Sequence, residues 1–116
     1  MGGALDKDPT ILTVLDRLAE RLGADAFVLA DHWDLDLCAV GIASPHNRGV
    51  LVYISCYGEK IGHFGYELEL PALPDDDLPY RVVGTGSGVS FEELADVVAH
   101  HLNRAERGDQ VDRTSK

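Results

Sequence analysis

The chain has 116 residues, 45% of them hydrophobic, and this length and composition are typical of one globular domain with one core. Its formal net charge is −10, from 20 acidic against 10 basic residues, which argues against binding of nucleic acid because phosphates would be repelled. No apolar stretch approaches the ~20 residues that cross a bilayer, and the first residues lack the basic and apolar regions of a signal peptide, so we expect a cytoplasmic protein.

The first predicted element is a helix that begins after Asp8. Asp8 supplies an N-cap acceptor, Pro9 suits the first helical position, and Gly23 suits the left-handed conformation that ends a helix. Between these limits apolar residues recur at helical spacing: Ile11, Leu12, Val14, Leu15, Leu18 and Leu22. Residues 1–7 are expected to form a flexible leader within a single domain spanning 1–116.

The apolar period changes to two after residue 25, which predicts strands over residues 26–30, 35–43 and 50–57. The segment 44–49 contains Pro, Asn and Gly, which favour a hairpin turn between the last two strands. A hairpin centred near Asn47 forms three apolar pairs on an inner face: Cys38 with Cys56, Val40 with Ile54, and Ile42 with Val52. The opposite, outer face then carries Tyr53 across from Gly41.

A further strand is predicted over residues 66–70, where Leu68 and Leu70 alternate with Glu67 and Glu69. A second hairpin centred near Ile61 pairs Ile54 with Leu68 inside, and Ser55 with Glu67 and Tyr53 with Glu69 outside. Both hairpins therefore assign the same residues of the middle strand to the inner face.

The C-terminal third of the chain predicts one more strand and one more helix. Residues 71–79 are too rich in proline for a central strand, 80–83 form the last predicted strand, and the glycines of 84–88 are interpreted as a flexible connector. Ser90 and Glu93 form a capping box at the start of the helix, and residues 105–116 form a polar tail. The predicted fold is α+β, with a mostly antiparallel five-stranded sheet and an N-terminal and a C-terminal helix packed on one face.

No local motif for catalysis, metal or cofactor is present. The glycine spacing in 84–88 fits neither a dinucleotide fingerprint nor a P-loop, and Ser87 lacks the flanking glycines of a nucleophile elbow. The five histidines show no helical zinc spacing, although a metal site assembled from separate loops is left open. We expect Glu67 and Glu69 to be solvated, which does not suit acid–base chemistry. The sequence therefore assigns no catalytic, cofactor-binding or metal-binding residue.

Negative charge is concentrated in the middle of the chain. Nine acidic and two basic residues lie between Asp31 and Asp77, and aromatic side chains lie among them. Aromatic anchors within an acidic surface suit binding of a basic protein. The predicted partner-binding set is Asp31, Trp33, Asp34, Asp36, Tyr53, Tyr57, Glu67 and Glu69. The alternative is that Trp33 and the tyrosines cover sheet edges or pack beneath a loop.

The order of elements resembles that of small immunity proteins of bacterial polymorphic toxin and contact-dependent inhibition systems. The segments that carry this resemblance are Phe27-Val28-Leu29, Val52-Tyr53-Ile54 and Ser90-Phe91-Glu92-Glu93-Leu94. The resemblance implies an acidic toxin inhibitor that occludes the active site or a neighbouring surface of a toxin, frequently a basic nuclease or deaminase. It assigns no individual binding residue.

Two other classes of function are left open. One is an acidic secretion chaperone, which would be a homodimer. The other is a small enzyme whose site is assembled from loops. A pocket that contains His63, His101 and a carboxylate would favour this alternative. The sequence does not fix the oligomeric state. It does predict that Cys38 and Cys56 are reduced, buried neighbours.

Overall fold

A computed structural model describes residues 7–30 and 37–106, and it has the expected α+β architecture. The elements are α1 (Pro9–Leu22), β1 (Val28–Leu29), β2 (Ala39–Ala43), β3 (Leu51–Ser55), β4 (His63–Pro71), β5 (Tyr80–Ser90) and α2 (Phe91–Glu106). The strands form one antiparallel sheet in the order β1-β2-β3-β4-β5. No helix within the described ranges has the length and apolarity needed to cross a membrane.

α1 begins and ends, and α2 begins, as the local sequence predicts. The Asp8 carboxylate accepts a hydrogen bond of 2.8 Å from the Thr10 N–H, and Gly23 has a φ of 109° that a side chain would disfavour. The Ser90 hydroxyl accepts the Glu93 N–H at 3.2 Å. Lys7, which was placed in the predicted leader, is buried, and α2 runs to Glu106, two residues into the predicted polar tail. The rest of the two predicted tails, residues 1–6 and 107–116, lies outside the described residues.

The core lies between the two helices and one face of the sheet, here called the inner face. α1 and α2 contact each other, and α2 also contacts β3, β4 and β5. One continuous cluster of buried side chains joins the three layers: Ile11, Val14 and Leu18 of α1, Val40 and Ile42 of β2, Val52 and Ile54 of β3, and Leu94, Val98 and Leu102 of α2. Burial of this apolar surface is the main term that stabilises the fold.

The register of the first hairpin is confirmed. Val40 lies opposite Ile54, Ile42 opposite Val52, and Gly41 opposite Tyr53. Beyond the paired residues, the Cys56 N–H donates to the Cys38 carbonyl at 2.9 Å, and the two thiols are in hydrogen-bond contact. Both cysteines are free, as expected, but each is only half-buried, so the prediction of full burial is wrong.

The register of the second hairpin differs from the prediction by two residues. Ile54 lies opposite Tyr66 instead of Leu68, and Tyr53 lies opposite Glu67 instead of Glu69. A slip of two positions keeps every side chain on its predicted face, because side chains alternate with a period of two. The alternation therefore predicted the faces correctly and the pairing incorrectly.

The interpretation of residues 84–88 as a flexible connector is wrong. These residues belong to β5, which runs for 11 residues from Tyr80 to Ser90 beside β4. The side chains of Tyr66 and Leu68 lie against Gly86 and Gly84, where they fill the space left by the missing side chains. Cross-strand cover of this kind lets glycines occupy a strand that their own propensity disfavours.

Replacing Gly86 by alanine is expected to lower the free energy of unfolding by about 1–3 kcal/mol. The new methyl group would overlap the ring of Tyr66, which packs directly on the Gly86 backbone. Chemical denaturation measures the effect, and Ser87→Ala, an exposed neighbour in the same strand, is the matched control with a change of about 0.5 kcal/mol or less. Wild-type stability in Gly86→Ala would show that the Tyr66 ring does not pack there.

Candidate functional site

The structure describes four of the eight residues in the predicted partner-binding set. Asp31, Trp33, Asp34 and Asp36 lie outside the described residues, so their placement on the surface stays a prediction. The other four are Tyr53 on β3, Glu67 and Glu69 on β4, and Tyr57 in the loop that follows β3.

Three of these four residues are brought together on the outer face of the sheet. Tyr53 lies directly opposite Glu67, and the carboxyl groups of Glu67 and Glu69 are in hydrogen-bond contact. We call these three residues the outer cluster. Glu69 pairs with Leu51 at the start of β3, whereas Tyr57 follows the end of β3 and is 80% exposed. At the rise per residue of a strand, Tyr57 lies about 20 Å from Leu51. It is therefore a separate surface feature.

The outer face is not uniformly open to solvent. Ala39 and Ala43 of β2 share a face with Gly41 and Tyr53, and both alanines have no exposed surface. Tyr53, Ser55 and Glu67 are half-buried. The two buried alanines therefore remove the β2 part of this face from the accessible surface.

Glu69 is the most unusual residue of the outer cluster. It is only 6% exposed, so the expectation that it is solvated is wrong. Burial, together with smaller contributions from the hydrogen bond and the negative charge of Glu67, raises its pKa from 4.5 to about 7. Its Oε2 atom has no hydrogen-bond partner among the described residues. A buried carboxyl oxygen without a partner is costly for the fold and calls for an explanation.

A surface cavity of about 480 Å³ adjoins Glu69. Its lining comprises Arg48, Gly49, Leu51, Glu69, Pro71, Pro79 and Tyr80. The β2–β3 turn lies close to the end of β4 at this cavity. The approach is so close that a Cβ atom added to Gly49 would be 2.6 Å from Pro71 Cγ. The cavity thus combines an apolar wall, one buried carboxyl group and one exposed guanidinium group. Such a site can receive a polar or cationic side chain with an aliphatic stem.

His101 supports the site from the opposite side of the sheet. It is 1% exposed, and its Nε2 donates to the backbone carbonyl of Glu69 at 2.9 Å. Burial lowers the pKa of His101, and the charge of Arg104 adds to this effect, while the hydrogen bond to Glu69 opposes it. Its position seven residues after Leu94 and three after Val98 places it on the buried stripe of α2, a signal that the sequence already contained.

The structure does not gather His63, His101 and a carboxylate into one pocket. His63 begins β4 and pairs with Ser90, whereas His101 contacts Glu69 six residues further along the same strand, about 20 Å away. Within 7–30 and 37–106, no group of three or more His, Cys, Asp and Glu side chains is arranged to hold a metal ion.

Cys56 is poorly suited to nucleophilic chemistry. Burial raises the pKa of its thiol to about 11, and the neighbouring Cys38 contributes to the rise. Because the thiolate is the reactive form, little of it is present near neutral pH.

Comparison with known proteins gives no further assignment, since no family model, no curated protein and no solved structure matches this chain.

Proposed function

We propose that this domain binds a basic protein through the outer cluster and the cavity beside Glu69, and that it acts in the cytoplasm by steric and electrostatic occlusion without catalysis. The resemblance to immunity proteins makes a toxin domain the proposed partner. A cationic side chain of that partner would enter the cavity and pair with Glu69, while Glu67 and Tyr53 contact the surrounding surface.

The observation that carries this proposal is the buried carboxyl group of Glu69, one oxygen of which has no hydrogen-bond partner among the described residues. In the isolated domain its Oε2 lacks a hydrogen-bond donor within the described structure, although the adjoining cavity has room for one. An arriving guanidinium or ammonium group would supply charged donors at this point. Pairing is favourable because the Glu69 carboxyl is already buried in the isolated domain, so it loses little further hydration, and the arriving cation removes an unpaired buried charge.

Charge distribution gives independent support. Asp75, Asp76 and Asp77 are exposed in the β4–β5 connection, close in sequence to the cavity residues Pro79 and Tyr80. The net charge of −10 gives the protein an overall negative potential, which Arg48 reduces at the cavity itself and the pairing of Arg81 with Asp76 reduces in the connection. Such a potential accelerates encounter with a basic partner and weakens as salt is added.

The double variant Glu67→Lys/Glu69→Gln is expected to bind the partner at least tenfold more weakly than wild type. Glutamine replaces the buried Glu69 without burying a new charge, and lysine reverses the charge of the more accessible Glu67. The matched control is Asp16→Asn/Glu20→Lys, which changes net charge equally at two exposed positions of α1. Immobilised wild type, variant and control are incubated with extract of the source organism, and retained proteins are identified, purified and titrated at two salt concentrations.

A basic protein retained by wild type and control but lost from the cluster variant supports the proposal. Expression of that protein alone should then arrest growth, and co-expression with this domain should restore it. Equal retention by all three immobilised proteins, or a retained partner that is itself acidic, contradicts the role of the outer cluster. A specific partner that has no effect on growth contradicts the toxin assignment and favours a chaperone.

A further inference from the structure

β5 is a long strand at the edge of the sheet. It pairs with β4 on one side, and among residues 7–30 and 37–106 no backbone hydrogen bond joins its other side to another element. Such an edge presents unpaired N–H and C=O groups that can bind a further strand. At this edge Val82 is 50% and Val83 is 42% exposed.

A groove accompanies this edge. It has a volume of about 600 Å³ and is lined by Asp76, Asp77, Leu78, Tyr80, Arg81, Val82 and Val83. Leu78 and Tyr80 add exposed apolar surface beside the two valines. Alternate side chains of an added strand would contact this apolar surface, as in other cases of strand addition.

The edge lacks most of the features that normally block strand addition. Residues 82–90 contain no proline and no charged side chain, although charges and prolines are the usual protection of an exposed edge. Two register shifts interrupt the pairing of β5 with β4: one leaves Val83 without a partner in β4, and the other lies between the pairs Tyr66 with Gly86 and Phe64 with Val89. At the second shift the Gly88 N–H donates to a Glu59 carboxylate oxygen at 3.0 Å. The stretch of the edge before Gly88, residues 80–87, therefore remains for pairing, with an irregularity at Val83.

The charged residues at the two ends of β5 indicate which kind of strand could pair with it. Asp75–Asp77 precede the strand, and Glu92 and Glu93 follow it at the start of α2. An antiparallel second copy would bring the aspartates of each chain toward the glutamates of the other, and a parallel copy would align the two aspartate runs. Like charges placed opposite each other destabilise strand pairing, so self-pairing is disfavoured. A strand with basic residues at both ends is complementary to this edge.

We propose that β5 accepts an extended segment of a partner protein, flanked by lysine or arginine, as a sixth strand of the sheet. Backbone hydrogen bonds would hold the segment, Val82 and Val83 would contact its apolar side chains, and the acidic groups at both ends of β5 would set its position. This site is distinct from the outer cluster, and it does not depend on the function proposed for that cluster.

A synthetic 11-residue strand of the same length as β5 tests this inference. The probe is acetyl-Lys-Lys-Thr-Val-Thr-Val-Thr-Val-Thr-Lys-Lys-amide, titrated by calorimetry at low salt. Two further probes carry N-methyl groups, which remove backbone N–H donors. In one probe the methylated residues are those whose N–H groups point to one edge of the strand, and in the other they are those whose N–H groups point to the opposite edge. Because a strand pairs through one edge only, one methylated probe should lose at least tenfold in affinity while the other stays within threefold of the parent. Equal affinities of the two methylated probes overturn the proposal, because binding would then not involve strand pairing.

Two additional measurements locate the bound probe. Hydrogen exchange should slow in residues 80–90 on addition of the parent peptide and remain unchanged in α1. Asp75→Asn/Asp77→Asn should weaken the parent peptide three- to tenfold, whereas Asp16→Asn/Glu20→Gln, with the same change in net charge on α1, should weaken it less than twofold. Protection elsewhere in the protein, or equal losses in the two variants, would overturn the assignment to β5.

Discussion

Replacing His101 by alanine is expected to lower the free energy of unfolding by about 2–4 kcal/mol. The substitution removes a fully buried ring from the contact between α2 and the sheet and leaves a cavity. It also removes the Nε2 donor that reaches the Glu69 carbonyl at 2.9 Å. Urea denaturation followed by circular dichroism at pH 7.5 gives the measurement.

The adjacent histidine provides a matched control for this prediction. His100 precedes His101 in α2 but is exposed, so His100→Ala should change stability by about 0.5 kcal/mol or less. Equal effects of the two substitutions would mean that His101 is not the buried connection between α2 and β4. Because His101 lies beneath Glu69, its loss should also lower the affinity of a partner that uses the cavity.

Replacing Glu69 by glutamine is expected to stabilise the protein at pH 8 by about 1–2 kcal/mol. At that pH the wild-type carboxyl is ionised although it is buried beside Glu67. Glutamine has nearly the same shape and carries no charge, so the cost of burying the charge disappears. The gain is set below the full value of the pKa shift because water in the adjoining cavity reduces that cost.

The pH dependence of stability gives this prediction a definite sign. The folded-state pKa of Glu69 is raised from 4.5 to about 7, so the folded protein holds a proton that the unfolded chain releases between these values. The stability contributed by protonated Glu69 is therefore complete below about pH 4.5 and is lost as pH rises to about 7. Glu69→Gln should show no such loss, and the two proteins should converge below about pH 4.5.

His101 contributes a pH dependence of the opposite sign. Its folded-state pKa is lowered from 6.5, so the unfolded chain binds a proton more readily, and stability falls as pH falls below about 6.5. The two effects therefore oppose each other in the wild type as pH falls below about 6.5. Glu69→Gln should unmask the His101 effect as a steeper loss of stability on acidification. A Glu69→Gln variant with an unchanged pH profile, less stable than wild type at pH 8, would show that the Glu69 carboxyl is not buried as described.

The second hairpin shows that alternation of apolar and polar residues predicts the face of a side chain but not its pairing partner. The apolar period of two assigned Tyr66 and Leu68 to the inner face, yet it was satisfied equally well by two registers that differ by two residues. The choice between them depends on the β3–β4 loop, where Gly58 and Gly62 adopt positive φ angles. Loop conformation of this kind depends on packing around the loop, which the alternation of strand residues does not report.

β5 illustrates the limit of local propensity. The glycines between residues 84 and 88 favour a connector when the segment is considered alone. In the folded chain Tyr66 and Leu68 cover Gly86 and Gly84, and β4 supplies the hydrogen-bond partners of the strand. Residues about 20 positions earlier thus convert a segment of low strand propensity into the edge strand proposed to accept a partner segment.

The sequence by itself determined both ends of α1, the start of α2, the inner and outer faces of β2, β3 and β4, and the acidic character of the protein, because these follow from caps, from side-chain period and from counted charges. Only the tertiary structure decided that Glu69 is buried and Glu67 less so, although both occupy the same face of one strand. Burial depends on what lies above a residue, and the cavity wall beside Glu69 comes from the β2–β3 turn, the end of β4 and the start of β5. The period of a strand predicts the face on which a side chain lies, whereas the atoms that cover this side chain belong to segments distant in sequence.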